Sequence, residues 1–259
     1  MNVYLLGGIL FVIAAILSMF GKGGGEFYVP IFLTIGIGFN QAATTSLFIL
    51  MVSGTIMMLV YNRKALLDWK LGFAVVAASA SGSFIGGYLS IGVNPVYLKI
   101  VFAVLLLISA FFMAKKERKS IPITWGYMWK RKCCNEEYNF PIFIVLPVIF
   151  IIGFLAGMVG ISGGGLIVPL LIILGGMPLR IAFATNSIMV LFSSALGFLG
   201  HGLKTSIDWH FTLIVAAFIA AGALTGAHFS SRVKVSRLKK IFVWILIIAA
   251  VWMVLKIYI

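Results

Sequence analysis

A glycine-rich interruption occurs twice in this chain, as Gly21-Lys22-Gly23-Gly24-Gly25-Glu26-Phe27-Tyr28-Val29-Pro30 and as Gly160-Ile161-Ser162-Gly163-Gly164-Gly165-Leu166-Ile167-Val168-Pro169, each time inside apolar sequence. Glycine costs about 1 kcal/mol per residue in a helix interior, so a run of glycines stops a helix and lets it restart. What surrounds the breaks sharpens the constraint. Of 259 residues, 62% are hydrophobic and 10% charged, with a mean hydropathy of +1.16. That leaves too little polar surface to coat a soluble globule, and the expected class is an all-α polytopic membrane protein in the cell membrane. Inside a bilayer, unwound backbone is tolerated only where protein buries it or a watery cavity meets it. The two breaks are therefore the candidate site, facing a central cavity.

Apolar stretches cover residues 3–20, 27–37, 42–61, 71–90 and 96–114, and after a basic loop 141–158, 166–174, 181–199, 211–229 and 238–257. A span needs about 20 apolar residues, so the two short stretches that follow the breaks read as half-helices. The halves correspond element by element. Pro30 matches Pro169 at an offset of 139, Ser46 matches Ser187 at 141, and Asp68-Trp69 matches Asp208-Trp209 at 140. Gly82 and Gly86 match Gly222 and Gly226 at the same offset of 140, and read as helix-packing faces. Such agreement means an internal duplication, with a first membrane repeat at 1–114, a basic cytoplasmic loop at 115–140 and a second repeat at 141–259.

The formal charge of +14 raises nucleic acid as a partner, but the basic residues lie in short clusters between apolar segments, as the positive-inside rule requires. Nucleic-acid binding is not expected. Arg63, Lys64 and Lys70 make one loop of the first half basic, while 91–95 carries no charge. In the second half the pattern reverses: Lys204 stands against Asp208, and Arg232, Lys234, Arg237, Lys239 and Lys240 crowd the next connection. The reversal predicts two inverted structural repeats, each a Gly-broken re-entrant helix hairpin plus three transmembrane helices, with the central loop cytoplasmic and both termini outside. The alternative is that the first helix crosses fully and the repeats run parallel. The apolar N-terminus lacks the basic start and cleavage site of a signal peptide and is expected to stay as a membrane segment.

A half-helix starting at Gly25 or Gly165 aims free N–H groups and a positive dipole end at the cavity, which makes an anion site. Val29-Pro30 and Val168-Pro169 are expected in the first turn or just beyond it, where proline removes few or no helical hydrogen bonds. Each half-helix is followed by a helix opening with polar residues, Thr44-Thr45-Ser46 and Thr185-Asn186-Ser187. The candidate substrate-binding set is thus Gly23, Gly24, Gly25, Thr44, Thr45, Ser46, Gly163, Gly164, Gly165, Thr185, Asn186 and Ser187; the alternative for the polar triplets is helix capping. Lys22 and Glu26 are the only charges in the breaks. Lys22 could attract an anion and Glu26 could carry a coupling proton; alternatively the two pair at i,i+4.

Little else suggests chemistry. Adjacent Cys133 and Cys134 suit a reducing face, and with Glu136 and Glu137 they lack the further Cys or His of a metal site, so they read as spectators. His201, His210 and His228 fall near segment ends without ligand spacing and read as interfacial. No nucleotide loop, metal motif or Ser-His-Asp order is present, so neither an enzyme nor a cofactor is expected.

The repeated Gly-x-x-Gly-Gly-x-x-x-Val-Pro breaks, the Thr-x-Ser sequences at Thr44 to Ser46 and Thr185 to Ser187, and the duplicated layout resemble the TauE/SafE sulfite exporter family, also called TSUP. The resemblance covers nearly the whole chain. It implies a secondary transporter moving a small anion such as sulfite or sulfoacetate by alternating access at a midplane site. Lys22 and Glu26 depart from the family pattern, which commonly has small or apolar residues there. The implied partners are a small anionic solute and the lipid bilayer, and a homodimer is compatible with the sequence. The nearest competing reading is a cation- or proton-coupled carrier of a different small solute using Glu26. An intramembrane enzyme would need paired His or Asp at the midplane, and the sequence offers none.

Overall fold

The structure is a computed structural model that describes residues 3–114, 128–203, 205–230 and 235–258. Residues 115–127 of the basic loop, Lys204, Arg232 and Lys234 lie outside the described residues. Five helices precede the central segment: α1 (Val3–Ser18), α2 (Gly25–Thr34), α3 (Phe39–Arg63), α4 (Trp69–Ser90) and α5 (Pro95–Ala114). A hairpin of β1 (Met128–Cys133) and β2 (Glu136–Pro141) follows. Then come α6 (Ile142–Val159), α7 (Gly164–Ile173), α8 (Leu179–Gly202), α9 (Trp209–Phe229) and α10 (Val235–Tyr258). Among the described residues, α3, α4, α5, α6, α8 and α9 are long and apolar enough to cross a membrane. The protein is an all-α multi-pass membrane protein whose helical body carries one small hairpin.

Each half completes the other rather than folding beside it. α4 packs along α6 and α9 along α1, so the first helix of each half lies on the fourth helix of its counterpart. The glycine pairs make this approach possible. A Cβ on Gly82 or Gly86 would strike the carbonyls of Phe150 and Phe154, and one on Gly222 or Gly226 those of Phe11 and Ala15. Backbones this close allow the dense packing that holds helices together in lipid. α3 packs on α8, and α5 on α10, at the centre and flank of the same arrangement.

Polar contacts tie the helix ends. Lys64 Nζ donates to the carbonyls of Ala227 (2.8 Å) and His228 (3.0 Å) at the end of α9. His201, read from sequence as interfacial, is instead fully buried. Its Nε2–H donates to the Gly157 carbonyl at 2.9 Å, joining α8 to α6, and Ser90 of α4 lies 3.4 Å away.

The hairpin is the element that the loop reading missed. Its two-residue turn places Cys134 (φ 55°) and Asn135 (φ 66°) in the left-handed region, as a type I′ connection requires. Tyr138 and Phe140 alternate inward and dock the hairpin on Asp68, the N-cap of α4. Arg131 donates to Asp68 through Nη2 (2.6 Å) and Nε (3.1 Å), and the Tyr138 hydroxyl donates at 2.6 Å. Burial alone would raise the Asp68 carboxyl, but the bonds from Arg131, Tyr138 and the Leu71 N–H outweigh it and hold it below the usual carboxylate range. Burial and the Cys134 thiol push the Cys133 thiol up to about 12.

Candidate functional site

Both half-helices restart as the glycines dictate. Gly24 precedes α2 and Gly163 precedes α7, each in the left-handed conformation and neither with a side-chain cap. The α7 restart is one residue earlier than the Gly165 expected from sequence. Pro30 and Pro169 are each the sixth helical residue, just beyond the first turn. There each removes one helical hydrogen bond, the one that would have reached the carbonyl of Glu26 or of Gly165.

The two breaks cross, and each is secured by the other half. Gly21 and Gly160 both have positive φ, 66° and 81°. A Cβ on Gly21 would strike the Phe183 carbonyl at the start of α8, and one on Gly160 would strike Ala43 at the start of α3. The carbonyls exposed by these sharp turns are then satisfied across the repeat boundary. Ser46 Oγ of α3 donates to the Gly160 carbonyl at 2.8 Å, and Asn186 Nδ2 of α8 donates to the Gly21 carbonyl at 2.6 Å. Asn186 also lies over Gly164, where a Cβ would come within 2.7 Å of Nδ2. It thus touches both breaks.

The candidate polar residues divide by their place on the helix. None of them caps: the N-caps of α3 and α8 are Gly38 and Pro178, several residues earlier. Thr44 donates back to Asn40 (2.7 Å) and Ser187 back to Ala184 (2.6 Å), so these two hydroxyls serve their own helices. Ser46 and Asn186 reach across, whereas Thr185 Oγ1 and Asn186 Oδ1 are buried without a hydrogen-bond partner. Thr45 is buried as well. Gly23 and Gly25 pack on α3, against Ser53 and Leu50 respectively.

Glu26 stands at the crossing. It is 3% exposed, and Lys22 is fully buried. A Cβ on Gly165 would lie 3.1 Å from Glu26 Oε1 and 2.8 Å from Ser109 Oγ of α5. Glu26 Oε2 has no hydrogen-bond partner, and the Lys22 ammonium one turn earlier acts on the carboxyl through its charge. Two further residues belong here that sequence reasoning passed over. Ser109 could have been found as the lone serine deep in its apolar stretch, and Ser162, inside the second break, has a buried and unpartnered hydroxyl. Instead of lining an open cavity, every candidate site residue is buried in this conformation. Along the flank of α2 an apolar groove of about 610 Å³ opens between α1 and α10, lined by Phe27, Pro30 and Trp252 among others.

The chain is 27% identical over 246 residues to the probable membrane transporter protein YunE of Bacillus subtilis, covering 89% of each chain. It is 30% identical over 168 residues to the probable membrane transporter protein MJ0441 of Methanocaldococcus jannaschii, covering 62% of this chain and 58% of that one. No solved structure matches it. The family model of the sulfite exporter TauE/SafE matches residues 6–253, and the chain belongs to this family of membrane transporters.

Proposed function

We propose that this transporter, which is not an enzyme, carries a small oxyanion, such as sulfite, sulfoacetate or a related organosulfonate, by alternating access at the crossing of the two breaks. One observation carries the reading. Two half-helices without side-chain caps begin at the crossing, and the hydroxyls of Ser162, within the second break, and of Thr185, next to Asn186 on α8, are buried with no hydrogen-bond partner. Helix N-termini favour anions, and a buried hydroxyl left unpaired costs about 1–3 kcal/mol. An oxyanion supplies the missing acceptors. The burial of every site residue suits an occluded state, with opening to either side by rocking of one repeat against the other.

Lys64 supports the inverted arrangement. It belongs to the connection between α3 and α4 yet bonds the end of α9, and parallel repeats would put those two ends on opposite sides of the membrane. The Arg131–Asp68 pair adds the central hairpin to the same side, the cytoplasmic one by the positive-inside rule. Labelling of Arg63→Cys and Arg232→Cys from one side only tests this, and labelling from opposite sides refutes it.

A second reading, a cation- or proton-coupled carrier of a different solute, draws on Glu26 Oε2 and Asn186 Oδ1, which are buried acceptors without donors. Proteoliposomes separate the two. Flux of sulfite or sulfoacetate that falls in Thr185→Val supports the anion site, whereas anion flux untouched by every site substitution refutes it.

A further inference from the structure

We propose that the Glu26 carboxylate is a built-in stand-in for the transported anion. Ionised, it occupies the crossing and excludes a free anion; protonated, it yields the site, so that anion and proton cross together. This deepens the anion reading and rests on it.

The placement carries the argument. Glu26 and Gly165 are counterparts in the duplication, at the offset of 139 that also relates Pro30 to Pro169. Counterparts of a twofold arrangement meet only close to its axis, and these two meet: Glu26 Oε1 lies against Gly165. A Cβ on Gly165 would come within 3.1 Å of Glu26 Oε1 and 2.8 Å of Ser109 Oγ, so the glycine of the second half leaves the room that the glutamate of the first half uses. A single carboxylate therefore sits where both halves would otherwise offer glycine. It is the second residue of α2, and Gly165 is the second residue of α7. One negative charge thus stands at the positive ends of two ten-residue helices, the place the fold provides for an anion.

A carboxylate fills that place incompletely. Glu26 Oε2 has no hydrogen-bond partner, and neither has the buried hydroxyl of Ser162 inside the second break or of Thr185 next to Asn186 in α8, which leaves donors near the breaks that the tethered carboxylate does not use. The titratable groups facing Glu26 are Lys22, one turn earlier, and Tyr28 of its own helix. Among the described residues, Ser109 of α5 lies at the same Gly165 contact and Asn186 of α8 lies against the neighbouring Gly164, and neither titrates. Lys22 can balance one negative charge at this buried place but not two, so the ionised carboxylate and a free anion exclude each other. Uptake of one proton by the carboxylate removes the conflict without breaking any bond of the substrate, and loss of that proton on the far side expels the anion.

The test uses the full chain in proteoliposomes with sulfoacetate as the probe. Exchange without a gradient reports the anion site by itself, and accumulation driven by a pH gradient reports coupling. The wild type is expected to exchange faster as pH falls. In Glu26→Gln, exchange becomes independent of pH and gradient-driven accumulation is lost. Glu26→Gly, which restores the glycine of the second half, is expected to lower the apparent Kd for sulfoacetate about tenfold, the scale of a nearby like charge. Size exclusion and thermal unfolding check that both variants fold. Gradient-driven accumulation that survives in Glu26→Gln overturns the inference and leaves the anion site standing. Loss of exchange in both folded variants also overturns it, because Glu26 would then be needed by the substrate rather than compete with it. Absence of exchange in the wild type and in both variants overturns the anion reading itself, and the stand-in with it.

Discussion

Asp68 and Asp208 start the same helix of the repeat and do the same local work, yet their surroundings differ. Each carboxylate accepts the N–H three residues on, Leu71 at 3.1 Å and Phe211 at 3.0 Å. Asp208 is exposed, and among the described residues no ion pair reaches it. Asp68 is buried beneath the hairpin and held by Arg131 and Tyr138. The breaks repeat the contrast. Gly21 and Gly160 share their left-handed backbone and each packs on the opposite half, but only the first break holds a lysine and a glutamate. The two halves agree in what backbone sterics and capping demand of both. They differ where a side chain meets something present once, the hairpin in one case and the crossing of the breaks in the other.

The shared features are expected to be the most sensitive. Gly21→Ala and Gly160→Ala each combine a left-handed backbone with a Cβ driven into the other repeat, and each should cost about 3 kcal/mol. Thermal unfolding in detergent measures this. A large loss at one position and none at the other would break the equivalence of the two halves.

Next come the bonds that secure the breaks. Ser46→Ala and Asn186→Ala each withdraw a donor from a buried carbonyl, at a cost of about 2 kcal/mol. The stability losses should match, but the flux losses should not. Asn186 touches both breaks, so Asn186→Ala is expected to reduce sulfite flux more than Ser46→Ala does, and equal reductions would remove its special role.

Much of this was legible in the sequence, for identifiable reasons. Glycine runs, proline positions and Asp-Trp pairs are local signals, and their recurrence matches one half of the chain to the other without any knowledge of packing. Local signals do not say which face a residue takes. Thr44, Thr45 and Ser46 are successive on one helix, about 100° apart, so they cannot share a face; Thr44 turns to its own backbone and Ser46 to the opposite break. Nor does the sequence show that each break is secured by the other repeat, since an offset names counterparts and not contacts. The hairpin was hidden by chemistry. Lys130-Arg131-Lys132 reads as a solvated basic run, its inward alternation amounts to Tyr138 and Phe140, and Cys134 gives no hint of a left-handed turn.

The two aspartates supply the smallest and most discriminating prediction. Asn caps a helix about as well as Asp, so Asp208→Asn should change stability by less than about 0.5 kcal/mol. Asp68→Asn keeps the cap and an acceptor for Arg131 and Tyr138 but turns charge-assisted hydrogen bonds into neutral ones, at a cost of about 1 kcal/mol. Acid separates them further. Because the folded Asp68 carboxyl is held below its usual range, its contribution is complete above the ordinary carboxylate value of about 3.9 and is lost as pH falls through the lower folded value. The hairpin should therefore release from α4 under acid in the wild type and in Asp208→Asn. In Asp68→Asn it should already be loosened at neutral pH, with no further acid transition of its own. Cys133 reports this directly, since its thiol donates to the Leu67 carbonyl only while the hairpin is docked. In a Cys134→Ser background, thiol labelling should be faster in Asp68→Asn than in Asp208→Asn. Equal rates would mean that the hairpin is held by Tyr138 and Phe140 packing alone, and that the charge difference between the halves has no mechanical consequence.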